Sequence, residues 1–278
     1  MVSRDVSASS SFAERYGPLA VVTGAAAGMG AAFARDLAAR EVDLLLVDRD
    51  ERALEACALE LEAAGSNAAT LVVDLAERDA ADRVADAAGD HVGLLVSNAA
   101  IGFVGSFLDQ DTDGLLAQLD VNCRTPLLLV HRVLPQLLAR GRGGIVLLSS
   151  LSAMRGSALV ASYAATKAWN LILAESLWDE LRDTGVDVLG VLPGTTRTPG
   201  LLSSAPQAGL ATANLMDAAD VAREALDALG RMPSVIPSEV NRESNAFLSS
   251  LDRAEAIKTM GDVMRATYPP DRAPDPSI

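Results

Sequence analysis

Short, continuously apolar runs alternate with Ala-rich stretches of helical period from residue 18 to about residue 236. The runs 18–23, 42–47, 69–73, 92–96, 144–148 and 186–191 predict six strands, and 234–236 a seventh. Between them, 28–40, 51–64, 79–88, 115–140, 162–183 and 217–230 predict helices. In the second of these, Leu54, Ala58 and Leu61 recur on one face. Pro126 and Pro135 interrupt the long 115–140 pattern and predict a kink or a split there. A strand that is apolar at every position has no solvated face, so it needs cover on both sides. Strands of that kind separated by helices predict an α/β fold: one doubly wound, largely parallel sheet of about seven strands with helices on both faces.

Beyond this core, Phe247, Leu248, Leu251, Ile257, Met260, Val263 and Met264 form an amphipathic pattern. The chain therefore divides into a flexible arm over 1–17, a core domain over 18–240, and an extension over 241–278 that is helical and then disordered. The extension is expected to cover a neighbouring subunit or to close a pocket. The composition narrows the functions open to the chain. A net charge of −14 disfavours nucleic acid and anionic membrane surfaces as partners. Cys57 and Cys123, His91 and His131 are isolated residues, so neither a disulfide framework nor a metal site is expected, and His131 is read as a packing residue. The first seventeen residues contain no apolar signal core, and no apolar run reaches bilayer length. The expectation is a soluble, cytoplasmic protein.

Two sites of chemistry stand out. The first is the turn after the first strand: Thr23, Gly24, Ala25, Ala26, Ala27, Gly28, Met29, Gly30. Its glycines allow a tight bend and close approach to a pyrophosphate, and the helix that follows offers its N-terminal N–H groups. The second strand ends at Asp48, eighteen residues after Gly30. A carboxylate there accepts from both adenosine ribose hydroxyls and repels a 2′-phosphate, which favours NAD over NADP. Arg49 can stack on adenine or attract a phosphate, so NADP stays open. The second site is Tyr163 and Lys167, four residues apart on one helix face, with Ser150 thirteen residues before Tyr163 at the end of a strand. A cation beside a phenol stabilises the phenolate and makes the pair a proton-transfer device.

Together these residues resemble the short-chain dehydrogenase/reductase family, over residues 18 to about 236. The turn matches TGxxxGxG. Asp74 and Leu75 in VVDLA look like the adenine contacts. Ser97, Asn98, Ala99 and Ala100 match NNAG with Ser for Asn and Ala for Gly, a change expected to affect cofactor fit modestly. Val121 and Asn122 match the helix asparagine, Ser150, Tyr163 and Lys167 the catalytic serine and YxxxK pair, and Pro193, Gly194, Thr196 and Thr198 the PGxxxT segment. The resemblance implies a Rossmann-type NAD(P) domain and hydride transfer between the nicotinamide and a carbon bearing a hydroxyl or carbonyl. Tyr163 would be the general acid/base, Ser150 would hold the substrate oxygen, and Lys167 would acidify Tyr163 and hold the nicotinamide ribose. Asn122 would hold a water that links Lys167 to solvent. The stretch 199–216 would be a lid, with Leu201, Leu202, Leu210, Leu215 and Met216 as an apolar wall. Ala153, Met154 and Arg155 would face the substrate. The helix carrying Trp169, Leu173, Leu177 and Trp178 and the 115–138 helix would form the four-helix interface of a homotetramer or homodimer. The reading is an NAD-dependent dehydrogenase of a secondary alcohol or ketone with apolar character. An NADP-preferring ketoreductase and a non-catalytic dinucleotide sensor or scaffold are its alternatives.

Overall fold

The computed structural model describes residues 11–204 and 214–268. Seven parallel strands form one sheet: β1 (Leu19–Thr23), β2 (Asp43–Asp48), β3 (Ala68–Val72), β4 (Val92–Ser97), β5 (Gly143–Leu148), β6 (Val186–Val191) and β9 (Ser234–Val235). Their order is β3-β2-β1-β4-β5-β6-β9, so the direction of winding reverses between β1 and β4. That reversal opens a crevice at the carboxyl ends of the central strands, where open α/β sheets bind ligands. A two-residue pair, β7 (Thr196–Arg197) with β8 (Met216–Asp217), brackets the segment after β6.

The strand side chains alternate between two cores, which is why the strands are apolar throughout. Val22, Leu44, Leu46, Leu94, Val146 and Leu189 face one core, which is completed by α2 (Gly28–Ala39), α3 (Glu51–Ala63) and α9 (Ala218–Ala228). Val21, Leu45, Leu95, Ile145, Leu147 and Val188 face the other, beneath α4 (Ala80–Ala88), α6 (Thr125–Arg140) and α7 (Ala161–Glu180). Each fully buried aliphatic side chain contributes about 1.5–3 kcal/mol. Local signals set the helix ends. Asp50 caps α3 through the Ala53 N–H, Asp111 caps α5 (Thr112–Leu119) through the Gly114 N–H, and Gly141 closes α6 in the left-handed region at φ 62°.

Several expectations are corrected. The end of the 1–17 arm is not loose. Ser11 and Glu14 make a reciprocal capping box on α1 (Phe12–Tyr16), and Tyr16 is buried with its hydroxyl donating to Asp187 at 2.8 Å. The 115–140 helix is split at the first of its prolines only. A π turn over Asp120–Arg124 separates α5 from α6, Pro126 in the first turn of α6 has no N–H for the Asn122 carbonyl, and Pro135 sits inside α6 without ending it. His131 is exposed: the buried row of α6 runs through Leu129, Val130, Val133 and Leu137, and His131 lies off it. The 241–268 pattern forms two helices, α10 (Glu239–Ser250) and α11 (Arg253–Thr267), the second capped by Asp252. Residues 1–10 of the arm, 205–213 of the lid with Leu210, and the expected disordered tail lie outside the described residues. Among the described residues, no helix is long and apolar enough to cross a membrane.

Candidate active site

A cleft of about 1020 Å³ runs along the carboxyl ends of β1, β2, β4, β5 and β6. At one end lies the glycine turn. Gly24 adopts φ +67°, and a Cβ on Gly30 would stand 1.9 Å from the Gly24 carbonyl oxygen, so the bend requires glycine at both positions. Ala27, at the N-cap of α2, supplies no side-chain cap, which leaves the first N–H groups of this helix directed at the cleft end. Thr23 and Asn98 brace the turn from beneath. The Thr23 hydroxyl accepts from the Asn98 and Ala99 N–H groups at 3.0 and 3.1 Å, and the Asn98 amide donates to the Thr23 carbonyl at 2.9 Å. Thr198 closes over Gly28, whose added Cβ would meet the threonine methyl at 3.0 Å.

The Asp48 carboxylate accepts from Ala26 N–H at 3.1 Å and from Arg49 and Asp50 N–H at 2.7 and 3.1 Å. It is therefore fixed at the cleft wall with lone pairs left for further donors. Arg49 is exposed and its guanidinium lies 4.0 Å from Asp74. Gly24, Ala27, Gly28, Met29, Asp48, Arg49, Asp74, Leu75, Asn98, Ala99 and Ala100 all line the cleft, as do Val121, Pro193, Gly194, Thr196 and Thr198. Thr23 and Gly30 stand behind that surface and shape it. A capless glycine-rich helix start beside a fixed carboxylate fits a dinucleotide: the α2 end would hold its pyrophosphate and Asp48 its ribose.

Ser150, Tyr163 and Lys167 line the same cleft further along. Ser150 follows β5, and its oxygen lies 2.7 Å from the Ser152 hydroxyl. Tyr163 and Lys167 stand one turn apart on α7, with the ammonium 5.7 Å from the phenol ring centroid. The Lys167 ammonium donates to the Leu148 carbonyl at 2.8 Å, and burial lowers its pKa to about 8, with Cys123 opposing. Burial raises the Tyr163 pKa, and a hydrogen bond with Ser150 opposes the rise. Burial thus acts against the acidification of this phenol expected from the sequence, and Ser150 is the group acting the other way. Asn122 lies in the π turn. Its side chain accepts from Ile101 N–H at 2.9 Å and donates to the Ile101 carbonyl at 2.8 Å and the Thr166 hydroxyl at 3.0 Å.

The far end of the cleft is built by residues the motifs do not mark. Phe103 and Val104 follow β4, Leu248 lies on α10, and Met260, Val263 and Met264 lie on α11. Only the amphipathic pattern of 241–268 signalled the last four. Arg155 does not face this space. Its guanidinium donates to the Asn245 side-chain oxygen at 3.0 Å and to the Ser249 hydroxyl, tying α10 to the loop after Ser150. Asn241 secures the start of α10, donating to the Met216 sulfur at 2.8 Å and the Pro237 carbonyl at 3.1 Å, and packs on Gly194. Of the expected lid residues, Leu201 lines the cleft, Leu202 is exposed and Met216 is buried in the core.

The short chain dehydrogenase family model matches residues 18–208. The 7beta-hydroxysteroid dehydrogenase of Clostridium sardiniense is 33% identical over 252 residues, covering 90% of this chain and 97% of that protein. A solved 7beta-hydroxysteroid dehydrogenase structure superposes with a TM-score of 0.84 at 29% identity, covering 90% of this chain and 99% of its own. A short-chain dehydrogenase from Sphingobium yanoikuyae in complex with NADPH gives a TM-score of 0.72 at 26% identity, covering 85% and 97%. Taken with the sheet order and the cleft, these matches make the chain a member of the short-chain dehydrogenase family, an oxidoreductase acting on CH–OH groups.

Proposed function

We propose that the protein transfers hydride between NAD(H) and a secondary alcohol or ketone on a bulky apolar skeleton of the hydroxysteroid kind, with Tyr163 as general acid/base. The observation that carries this reading is the shared cleft. Ser150, Tyr163 and Lys167 line it together with Asp48 and with the apolar side chains of Leu248, Met260 and Val263. The nicotinamide supplies the hydride chemistry when bound. Ser150 holds the substrate oxygen and donates to it as charge develops. Tyr163 takes the proton from an alcohol, or gives one to a ketone. Lys167, charged below its lowered pKa of about 8, stabilises the phenolate and holds the nicotinamide ribose. Asn122 serves from behind, fixing the backbone at Ile101 and the turn of α7 at Thr166.

The preference for NAD is argued from Asp48: its carboxylate is held by backbone N–H groups at the cleft wall, and an anion there would repel a 2′-phosphate. The exposed Arg49 beside it supports the competing NADP reading, as does the likeness to a relative in complex with NADPH. The hydroxysteroid class rests on the apolar side chains that α10 and α11 give the cleft and on the names of the relatives. Exposed Leu116, Leu119 and Ile172 on α5 and α7 support a homotetramer or homodimer, and a cytoplasmic setting completes the proposal. A panel of secondary alcohols, steroids, sugars and ketones, followed by NADH and NADPH absorbance, tests it. Turnover of a hydroxysteroid faster with NAD, and loss of that preference in Asp48→Ala, is the expected result. A sensor or scaffold would turn over nothing on the panel.

A further inference from the structure

The Ser150 hydroxyl has a second hydroxyl beside it. Ser150 caps the single helical turn Leu151–Ala153, its oxygen accepting from the Ser152 N–H at 3.2 Å. The Ser152 hydroxyl lies 2.7 Å from the same oxygen. Backbone bonds pin this turn: the Leu151 N–H donates to the Pro193 carbonyl at 3.1 Å, and the Ala153 N–H to the Ser150 carbonyl at 3.0 Å. Ser152 lines the cleft together with Ser150 and Tyr163. Among the described residues, Ser150 is the only protein partner of the Ser152 hydroxyl. Ser149 next door is placed differently. It is buried, and its hydroxyl donates to the Lys167 carbonyl at 2.7 Å.

We propose that Ser152 is a positioning residue that donates its hydroxyl hydrogen to Ser150 and so keeps the single hydrogen of Ser150 for the reacting oxygens. A hydroxyl has one hydrogen and two lone pairs. Ser152 fills both lone pairs of Ser150, one with its N–H and one with its O–H. The contact between the two oxygens can run either way without substrate. Once Ser150 donates to a substrate oxygen or to the Tyr163 phenolate, its hydrogen is spent and Ser152 must be the donor. The hydrogen bond between Ser150 and Tyr163 favours the phenolate, which makes Ser150 its donor. A hydroxyl whose oxygen already accepts a hydrogen bond is polarised and donates more strongly. Ser152 therefore acts through Ser150, and acts most where negative charge develops. The inference rests on the catalytic reading of Ser150 and Tyr163.

Ser152→Ala removes the hydroxyl and keeps the N–H, whereas Ser152→Thr keeps both. With an alcohol that the parent oxidises, Ser152→Ala should lower kcat roughly 3–10-fold, the worth of one hydrogen bond, with a smaller change in KM. Ser152→Thr should restore it. The rise of kcat/KM with pH should also move to higher pH in the alanine variant, because Tyr163 then has a weaker donor at its oxygen. A second readout needs no turnover. The chain has three tyrosines, Tyr16, Tyr163 and Tyr268. Labelling with 13Cζ-tyrosine therefore gives three resonances, and Tyr163 is assigned by its loss in Tyr163→Phe. In the full-length protein without cofactor, Tyr163 should begin to ionise at higher pH in Ser152→Ala than in the parent or in Ser152→Thr. The same onset in parent and alanine variant overturns the proposal, as does an unchanged kcat or a loss of kcat that Ser152→Thr shares. A parent that turns over nothing on the panel sinks the catalytic reading, and the tyrosine onset still decides whether Ser152 acts on Ser150.

Discussion

Replacing Lys167 by methionine removes a charge that the fold has no local reason to hold. The structure sets the size of the effect. Burial lowers this lysine from 10.5 to about 8, a difference of roughly 2.5 units, and each unit is about 1.4 kcal/mol. Well below pH 8 the ammonium therefore destabilises the folded protein by roughly 3–4 kcal/mol. Methionine removes that cost but leaves the Leu148 carbonyl without its donor, which costs about 1–3 kcal/mol. At pH 7 the variant should be as stable as the wild type or slightly more stable. Between about pH 8 and 10.5 the folded wild type binds fewer protons at this site than the unfolded chain does, so its stability rises with pH there. The variant lacks that rise. Urea unfolding of both proteins without cofactor, at one protomer concentration, should show the wild type gaining about 2 kcal/mol on the variant between pH 7 and pH 10. Other titrating groups cancel in the comparison. A difference that stays flat across this range refutes the claim that Lys167 is buried and charged at a cost. The same variant should bind NADH more weakly, which separates the functional reason for the residue from its structural penalty.

Three other substitutions probe different parts of the site. Tyr163→Phe should lower turnover at least about 100-fold while NADH binding by fluorescence is retained, and unchanged turnover with a verified substrate would remove Tyr163 from its assigned role. Arg155→Ala releases α10 from the loop after Ser150. It should raise KM for bulky ketones several-fold with little change in kcat for small ones, and an equal effect on both would show that the contact does not shape the far wall. Gly194→Ala places a Cβ 2.4–2.7 Å from the Asn241 amide and should cost about 1–3 kcal/mol, measured by thermal unfolding. A fully stable alanine variant would mean that this packing is loose.

The strands were legible because a two-faced sheet leaves a simple mark: every position apolar, with neighbours such as Leu44 and Leu45 entering opposite cores. The turn at Gly24–Gly30 and the Tyr163–Lys167 spacing were legible because each is a local arrangement of backbone or helix face. What escaped depends on partners far away in the chain. Tyr16 finds Asp187 across 171 residues, and Arg155 finds Asn245 across 90. No window along the sequence holds both halves of such a pair. The split of the 115–140 region was legible at Pro126, but its form as a π turn was not: the Asn122 carbonyl that this proline cannot serve accepts from Asn170 on another helix. His131 was misplaced because leucines on both sides of it suggested a buried row, whereas Leu127 is itself exposed and the row runs through Leu129 and Val133.

Helices α10 and α11 add no strand to the seven-stranded sheet, yet they supply residues to the wall of the cleft. On the proposed function, the choice of molecule would be written largely in a stretch of polypeptide separate from the one that handles the nucleotide. A graft replacing everything after Ile236 with the corresponding piece of a relative would exchange one appetite for another, while the machinery that moves the hydride stays as it was.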